Sequence, residues 1–215
     1  MIAEVVRDDE AGRAAAVRIL RAGGIVALPT DTVYGIAVDL AAGGGIERLF
    51  EVKHRPADRA IILLLADASQ AGGLAEWPPA AAVLGAAFWP GGLTLVLPQR
   101  PDVTLPAALT GGRPTIGLRV PDHPSPRALA AGVGPLPVTS ANVSGLPEAR
   151  TAAEILAQLG DALDLILDGG PSAGGPASTV VDCTGSVPRI LRRGAIAADA
   201  VAACLRSASL PEPGP

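Results

Sequence analysis

The sequence predicts an α/β fold built on a mixed sheet with flanking helices. Short apolar runs alternate with Ala- and Leu-rich stretches of helical spacing. Some connections between runs are too short to hold a crossover helix, so part of the sheet must pair antiparallel. At 215 residues and 49% apolar content, the chain is long enough to bury one sizeable core. The expected organisation is a single domain over 1–206 followed by a frayed tail over 207–215.

The elements follow in order. Residues 11–22 place Val17, Ile19 and Leu20 among polar positions and stop at Gly23-Gly24, as a helix with a glycine stop does. Residues 25–28 form a buried strand that empties into Pro29-Thr30-Asp31-Thr32, and a second apolar run follows at 36–38. Ile46, Leu49 and Phe50 recur at helical spacing up to Lys53-His54-Arg55-Pro56, where the proline ends the helix. The seven-residue run 60–66 reads as a central strand buried on both faces. A helix over 79–89 leads to strands at 93–97 and 115–120, and a short helix starts at Ser125. Strand 136–139 opens onto Ser140-Ala141-Asn142, helix 152–159 follows, and strand 165–167 leads to a glycine-rich, flexible loop over 169–175. A strand pair at 178–182 and 189–191 and a helix over 197–205 complete the domain.

Composition removes several function classes. A net charge of −4 gives no bulk attraction to nucleic acid or to an anionic membrane, so any polyanion must meet a local basic patch. No charge occurs between Glu76 and Arg100, but Pro78, Pro79, Pro90, Gly91 and Gly92 break that stretch, and it reads as helix and strand rather than a membrane span. The acidic N-terminus shows no secretory signal, and a cytoplasmic location is expected. Without an export signal, the glycosylation sequon Asn142-Val143-Ser144 carries no weight. Cys183 and Cys204 lie far apart, which suits a reducing compartment and neither a disulfide frame nor a zinc site. Neither a Walker-type phosphate loop nor a G-x-S-x-G elbow is present. His54 lies beside two cations and His123 in a proline-rich turn, so both read as structural.

The polar residues gather where strands end: Thr30, Asp31 and Thr32; Lys53, Arg55 and Arg59; Thr115 and Arg119; Ser140 and Asn142; Ser178; Arg192 and Arg193. Loops at strand ends are the usual ligand sites of open α/β sheets. Such a basic cluster in an acidic chain suits a multiply charged anion such as a nucleoside triphosphate. Lys53 is the chain's one lysine against sixteen arginines, and Asn142 and Tyr34 are also unique. A lone lysine points to a position that needs a compact ammonium. As a helix-end charge it is expected to matter little to stability.

Read together, seven segments resemble the YrdC-like threonylcarbamoyl-adenylate synthase family, in its short, single-domain form. They are PTDTVYGI (29–36), KHRP (53–56), FWPGGLTLVL (88–97), TIGLRVPDHP (115–124), TSANVSG (139–145), ASTVVD (177–182) and ILRRGAI (190–196). The resemblance implies a twisted mixed sheet with a concave basic cleft. It implies a nucleotidyltransferase that makes threonylcarbamoyl-AMP and pyrophosphate from L-threonine, bicarbonate and ATP. That product feeds the N6-threonylcarbamoyl modification of adenosine 37 in tRNA, through a downstream threonylcarbamoyl-transfer complex. Lys53, Arg55, Ser140 and Asn142 match the family's hallmark catalytic residues. Thr32, Arg119, Ser140 and Ser178 would hold threonine, while Lys53, Arg55, Arg59, Thr115, Asn142, Arg150 and Arg192 would hold ATP. Magnesium would arrive with ATP, with few protein ligands, and no tightly bound organic cofactor is expected.

The chain departs from the family pattern at three places. Leu64 stands where many relatives carry a histidine, Ala60 where a proline is common, and Gly92 where the family usually has a proline. Two other functions stay open on sequence alone: an RNA-binding module for tRNA or ribosomal RNA, and a paralogue without synthase activity. For the first, only Tyr34, Phe50, Trp77, Phe88 and Trp89 are available to stack on bases, and Phe50 and Phe88 read as core.

Overall fold

The computed structural model describes residues 2–53, 60–172 and 174–214. Along the chain run β1 (Glu4–Arg7), α1 (Glu10–Arg21), β2 (Val26–Leu28), β3 (Gly35–Ala37), α2 (Gly45–Lys53) and β4 (Ile62–Leu64). A 3-10 turn (Ala68–Gly73), α3 (Pro79–Phe88), β5 (Leu93–Pro98), α4 (Ala107–Thr110), β6 (Thr115–Arg119) and α5 (Pro124–Val133) follow. The last elements are β7 (Leu136–Ser140), α6 (Ala152–Leu159), β8 (Leu165–Asp168), β9 (Thr179–Asp182), β10 (Arg189–Arg192) and α7 (Ala198–Ser207). Helix starts are capped as their sequences suggest: Asp9 accepts from Gly12 N and Thr151 from Glu154 N.

Among the described residues the strands form one sheet in the order β1-β8-β2-β3-β7-β4-β6-β5-β9-β10. It is mixed, as predicted. β8 pairs parallel with β1 and β2, β4 with β6, and β5 with β9, while the other neighbours run antiparallel.

The two faces of this sheet have different fates. Odd-numbered Leu93, Leu95 and Leu97 of β5 join Leu63, Ile116 and Leu118 in the larger core, beneath Leu84 of α3 and Val201 and Leu205 of α7. On the opposite face, Val26, Leu28, Leu64, Leu136 and Val138 pack against Ala16 and Leu20 of α1 and Leu129 and Ala130 of α5. Each fully buried leucine contributes roughly 1.5–3 kcal/mol through apolar area removed from water. α1 and α5 cover only part of that second face. Beyond them Thr94, Val96, Thr115, Gly117 and Arg119 line a cavity instead of a core.

Three elements carry no clear signal in the sequence. β1 reads Glu-Val-Val-Arg with charges at both ends, and it pairs only with β8 at the sheet edge. α4 is a single turn stopped by Gly111 at φ +64°, too short for any periodicity. The 3-10 turn is likewise short and apolar-poor. Where the sequence suggests a frayed tail, Leu210 N donates to Leu205 O, Gly214 N to Pro188 O, and Arg206 pairs with Glu212 at 2.6 Å. Both cysteines are free thiols, and burial pushes Cys183 up to about 12. Among the described residues no helix is long and apolar enough to cross a membrane.

Candidate active site

The cavity has a volume of about 360 Å³ and sits on the sheet face that α1 and α5 leave bare. Its floor follows strand periodicity, because residues two apart on a strand share a face. Ile62 and Leu64 of β4, Thr94 and Val96 of β5, Thr115, Gly117 and Arg119 of β6, and Val138 and Ser140 of β7 all line it. Thr30 and Thr32 from the segment after β2, Ser178 before β9, and Arg192 at the end of β10 complete its polar part. The expected location at strand ends is therefore only half right. The rim is made of strand ends, but the floor is an open sheet face.

Arg119 organises one end. It is 3% exposed, and its guanidinium donates from Nε to Gly91 O (2.9 Å), from Nη1 to Thr32 Oγ1 (3.2 Å) and from Nη2 to Asp31 Oδ1 (2.7 Å). Burial pushes its pKa below the ordinary arginine value, against the opposing effect of Asp31, and Arg192 adds a smaller push downward. The group stays cationic at neutral pH, since a guanidinium is not deprotonated in proteins. Thr32 is fixed in turn, because its N–H donates to Thr30 Oγ1 (3.2 Å) and that hydroxyl donates to Val33 O (2.6 Å).

Ser178 forms the facing corner. Arg192 grips it twice, Nε to the carbonyl and Nη2 to Oγ, each at 3.0 Å. The fully buried Thr94 shares a 2.8 Å hydrogen bond with the same hydroxyl. Thr94 was not singled out from the sequence, although its place as the polar residue within an apolar strand was a signal.

Lys53 lies behind this wall rather than on it. Its Nζ donates to the carbonyl oxygen of Ser140, to Ser140 Oγ (3.0 Å) and to Asn142 Oδ1 (2.9 Å). Asn142 Nδ2 donates to Val143 O (3.1 Å) and Leu146 O (2.8 Å), and Ser144 N donates to Lys53 O (3.0 Å). The ammonium thus holds the turn that aims Ser140 into the cavity. Lys53 is 3% exposed, so the expectation of an inconsequential helix-end charge does not hold.

The remaining predicted residues are distributed as follows. Thr115 and Arg192 line the cavity. Arg150 is exposed and not among the lining residues; its guanidinium lies against Gly174, where an added Cβ would come within 2.1 Å of Nη2. Arg55 and Arg59, with His54, lie outside the described residues. Arg113 and Glu148, which line the cavity, were not predicted from the sequence. Leu64 is paired in register with Arg119 and fills its place with an apolar side chain that is 1% exposed.

The third singleton has a structural role. Tyr34 is fully buried, accepts from Gly169 N (3.1 Å) and donates to Gly170 O (2.6 Å), so it anchors the loop that follows β8. Burial pushes its phenol above the ordinary value. A tyrosine so placed cannot stack on a base. Trp77 and Trp89 pack on each other at 5.8 Å and do not line the cavity, so the stacking surface required of an RNA module is not at this site among the described residues. His123 has the expected structural role, with Nδ1 accepting from Ser125 N at the start of α5.

Gly117 sets the depth of the floor. A Cβ there would lie 3.1 Å from Ile62 Cγ2 and 3.7 Å from Thr94 Cγ2. Gly117→Val is expected to keep the strand, since β-branched residues suit it, while filling the cavity. Overpacking of this kind costs the fold about 1–3 kcal/mol, and a ligand denied the space by a similar amount would bind roughly 5- to 150-fold more weakly. Calorimetric titration beside a thermal melt checks this; unchanged affinity would place the ligand elsewhere.

Fold and site together define an α/β protein with a sheet-face cavity equipped with arginines and hydroxyls for a small anionic or zwitterionic ligand. Residues 18–194 match the Sua5/YciO/YrdC family, described under telomere recombination, and the chain belongs to that family. It is 38% identical over 200 residues to the threonylcarbamoyl-AMP synthase of Bacillus subtilis, covering 92% of this chain and 57% of that one. It is 40% identical over 195 residues to a putative threonylcarbamoyl-AMP synthase of Mycobacterium tuberculosis, covering 90% and 89% respectively. The crystal structure of Pyrococcus abyssi Sua5 complexed with L-threonine superposes with a TM-score of 0.87 at 35% identity, over 95% of this chain and 60% of that one. This chain therefore spans little more than half of some relatives and most of others.

Proposed function

We propose that this chain is a threonylcarbamoyl-AMP synthase, forming threonylcarbamoyl-AMP and pyrophosphate from L-threonine, bicarbonate and ATP. The observation that carries the reading is the convergence of Thr32, Arg119, Ser140 and Ser178 on one cavity, which Thr115 and Arg192 also line. The synthase names of the relatives and the threonine complex of the P. abyssi protein support it.

In this reading Arg119 receives the threonine carboxylate, with Thr32 and Ser178 beside it. By counting, one N–H remains on each terminal nitrogen of Arg119 after its three described hydrogen bonds, enough for a carboxylate. The threonine amine attacks the carbon of bicarbonate, a water leaves, and a carbamate results. The carbamate oxygen then attacks the α-phosphate, and pyrophosphate departs. Carboxylate, carbamate and triphosphate repel one another, so the site must hold them in place more than supply a base. Thr115 and Arg192 supply donors for the nucleotide side, with Lys53 and Asn142 placed there by the family motif, while Ser140, whose hydroxyl accepts from Lys53 and donates to Asn142 Oδ1, belongs with the threonine group. Arg55, Arg59 and Arg150 are further candidates there, from the family motif.

Among the described residues no cluster of three His, Cys, Asp or Glu side chains is positioned to hold a metal. A magnesium ion brought in with ATP would neutralise phosphate charge. A cytoplasmic location, weak tRNA contact and delivery to a threonylcarbamoyl-transfer complex belong to the same proposal.

Incubation with ATP, threonine and bicarbonate, followed by mass analysis of nucleotides, is expected to yield the threonylcarbamoyl adenylate only when all three are present. ATP turnover without threonine or bicarbonate, and no adenylate, would overturn the reading. Serine should react more slowly, because the missing methyl removes roughly 1–3 kcal/mol of apolar contact. Equal rates for both would show that the cavity does not read the side chain.

A further inference from the structure

We infer that Asp31 is the group that recognises the α-ammonium of the amino acid substrate, so that Asp31 and Arg119 together read the zwitterion. The inference rests on the synthase reading and adds a residue to it. Asp31 follows Thr30 and precedes Thr32, both of which line the cavity, and its side chain is 16% exposed. Its Oδ1 accepts from Arg119 Nη2 at 2.7 Å. Among the described residues, its Oδ2 has no hydrogen-bond partner. Asp31 is not itself a lining residue, but a half-buried carboxylate bound through one oxygen to the cavity-lining Arg119, with its other oxygen open, is equipped to receive one more donor.

The charge pattern favours a zwitterion over a simple anion. Arg119 is already neutralised by Asp31, so a ligand bearing only a carboxylate would meet a cation and an anion side by side. An α-amino acid carries its own ammonium next to its carboxylate. Laid head to tail on the Arg119–Asp31 pair, it makes an alternating square of charges in which each group faces two of opposite sign. Thr32 Oγ1, 3.2 Å from Arg119 Nη1, keeps the guanidinium in place without occupying Asp31. Asp31 therefore does more than prop Arg119: asparagine would keep an acceptor facing the guanidinium, more weakly, and would offer no charge to an ammonium.

That difference supplies the test. Asp31→Asn keeps an oxygen facing Arg119 and removes the charge. Binding would be measured by calorimetry for L-threonine and for (R)-3-hydroxybutyrate, which keeps the carboxylate, hydroxyl and methyl but lacks the amine. The wild-type protein is expected to prefer threonine by at least about tenfold, the size of one well-placed charge contact. Asp31→Asn should lose most of that preference, weakening threonine about tenfold while holding (R)-3-hydroxybutyrate as well as before or better. ATP affinity should not change. Unchanged threonine affinity in the variant would overturn the inference, and so would equal weakening of both ligands, which marks a purely structural role. A wild-type protein without preference for the amine also overturns it, independently of any variant. If the wild-type protein binds no threonine at all, the synthase reading falls and the inference with it.

Discussion

Arg119→Lys is expected to lower kcat/KM for threonine by at least about a hundredfold, the loss typical of misplacing a bound reactant by an ångström or so. The guanidinium reaches three acceptors in three directions: Gly91 O, Thr32 Oγ1 and Asp31 Oδ1. An ammonium ends one bond earlier, carries its charge at a point and has no fork for a carboxylate. It can satisfy Asp31 or the substrate, and it leaves the buried carbonyl of Gly91 without its donor. Stability should fall as well, since breaking a buried charged pair costs up to about 3–5 kcal/mol. Asp31 retains some contact with water, so the lower part of that range applies. Steady-state kinetics with varied threonine and varied ATP, beside a thermal melt, separate the two effects. A variant with wild-type KM for threonine would remove Arg119 from the carboxylate site.

Much of this arrangement is legible in the sequence, and the parts that are not share a cause. Helix 152–159 and the strands around Thr115 and Leu136 fall within a residue or two of expectation, because caps, glycines and apolar runs are local signals. β1 was missed because an edge strand with charges at both ends has no buried run to announce it. The candidate residues Thr32, Arg119, Ser140 and Ser178 were singled out through their motifs, and all four line the cavity. Its floor was not foreseen, because strand periodicity says that Thr115, Gly117 and Arg119 share a face but not which face the helices leave bare. That depends on where α1 and α5 pack, a tertiary property. Arg113 and Glu148 escaped for the same reason, since each comes to line the cavity only through the fold, whereas Thr94 carried a signal as the polar residue of an apolar strand.

The same limit governs Lys53, whose rarity was legible and whose surroundings were not. Lys53→Arg is expected to reduce synthesis of the adenylate by about 10²–10³, as the loss of a positioned donor in such a site does. The ammonium meets Ser140 O, Ser140 Oγ and Asn142 Oδ1, which converge on one small point. A planar guanidinium cannot aim three donors at such a point, and its extra bulk must enter a place that is 3% exposed. The Ser140–Asn142 turn would therefore be pushed, and Ser140 would leave its position on the cavity wall. The charge itself is retained, so the loss would report geometry rather than electrostatics. Overpacking adds about 1–3 kcal/mol of destabilisation, and a domain of this size loses roughly 2–4 °C in Tm per kcal/mol. Lys53→Met, close in length and uncharged, should melt lower still, because Asn142 Oδ1 and the Ser140 carbonyl each lose a buried charged donor and keep only Ser140 Oγ and Asn142 N respectively. Arg18→Lys, on the exposed side of α1, is the control and should change neither rate nor Tm. Full activity and an unchanged melt in Lys53→Arg would show that the turn tolerates a fork where it holds a point charge, and the geometric account of the lone lysine would fail.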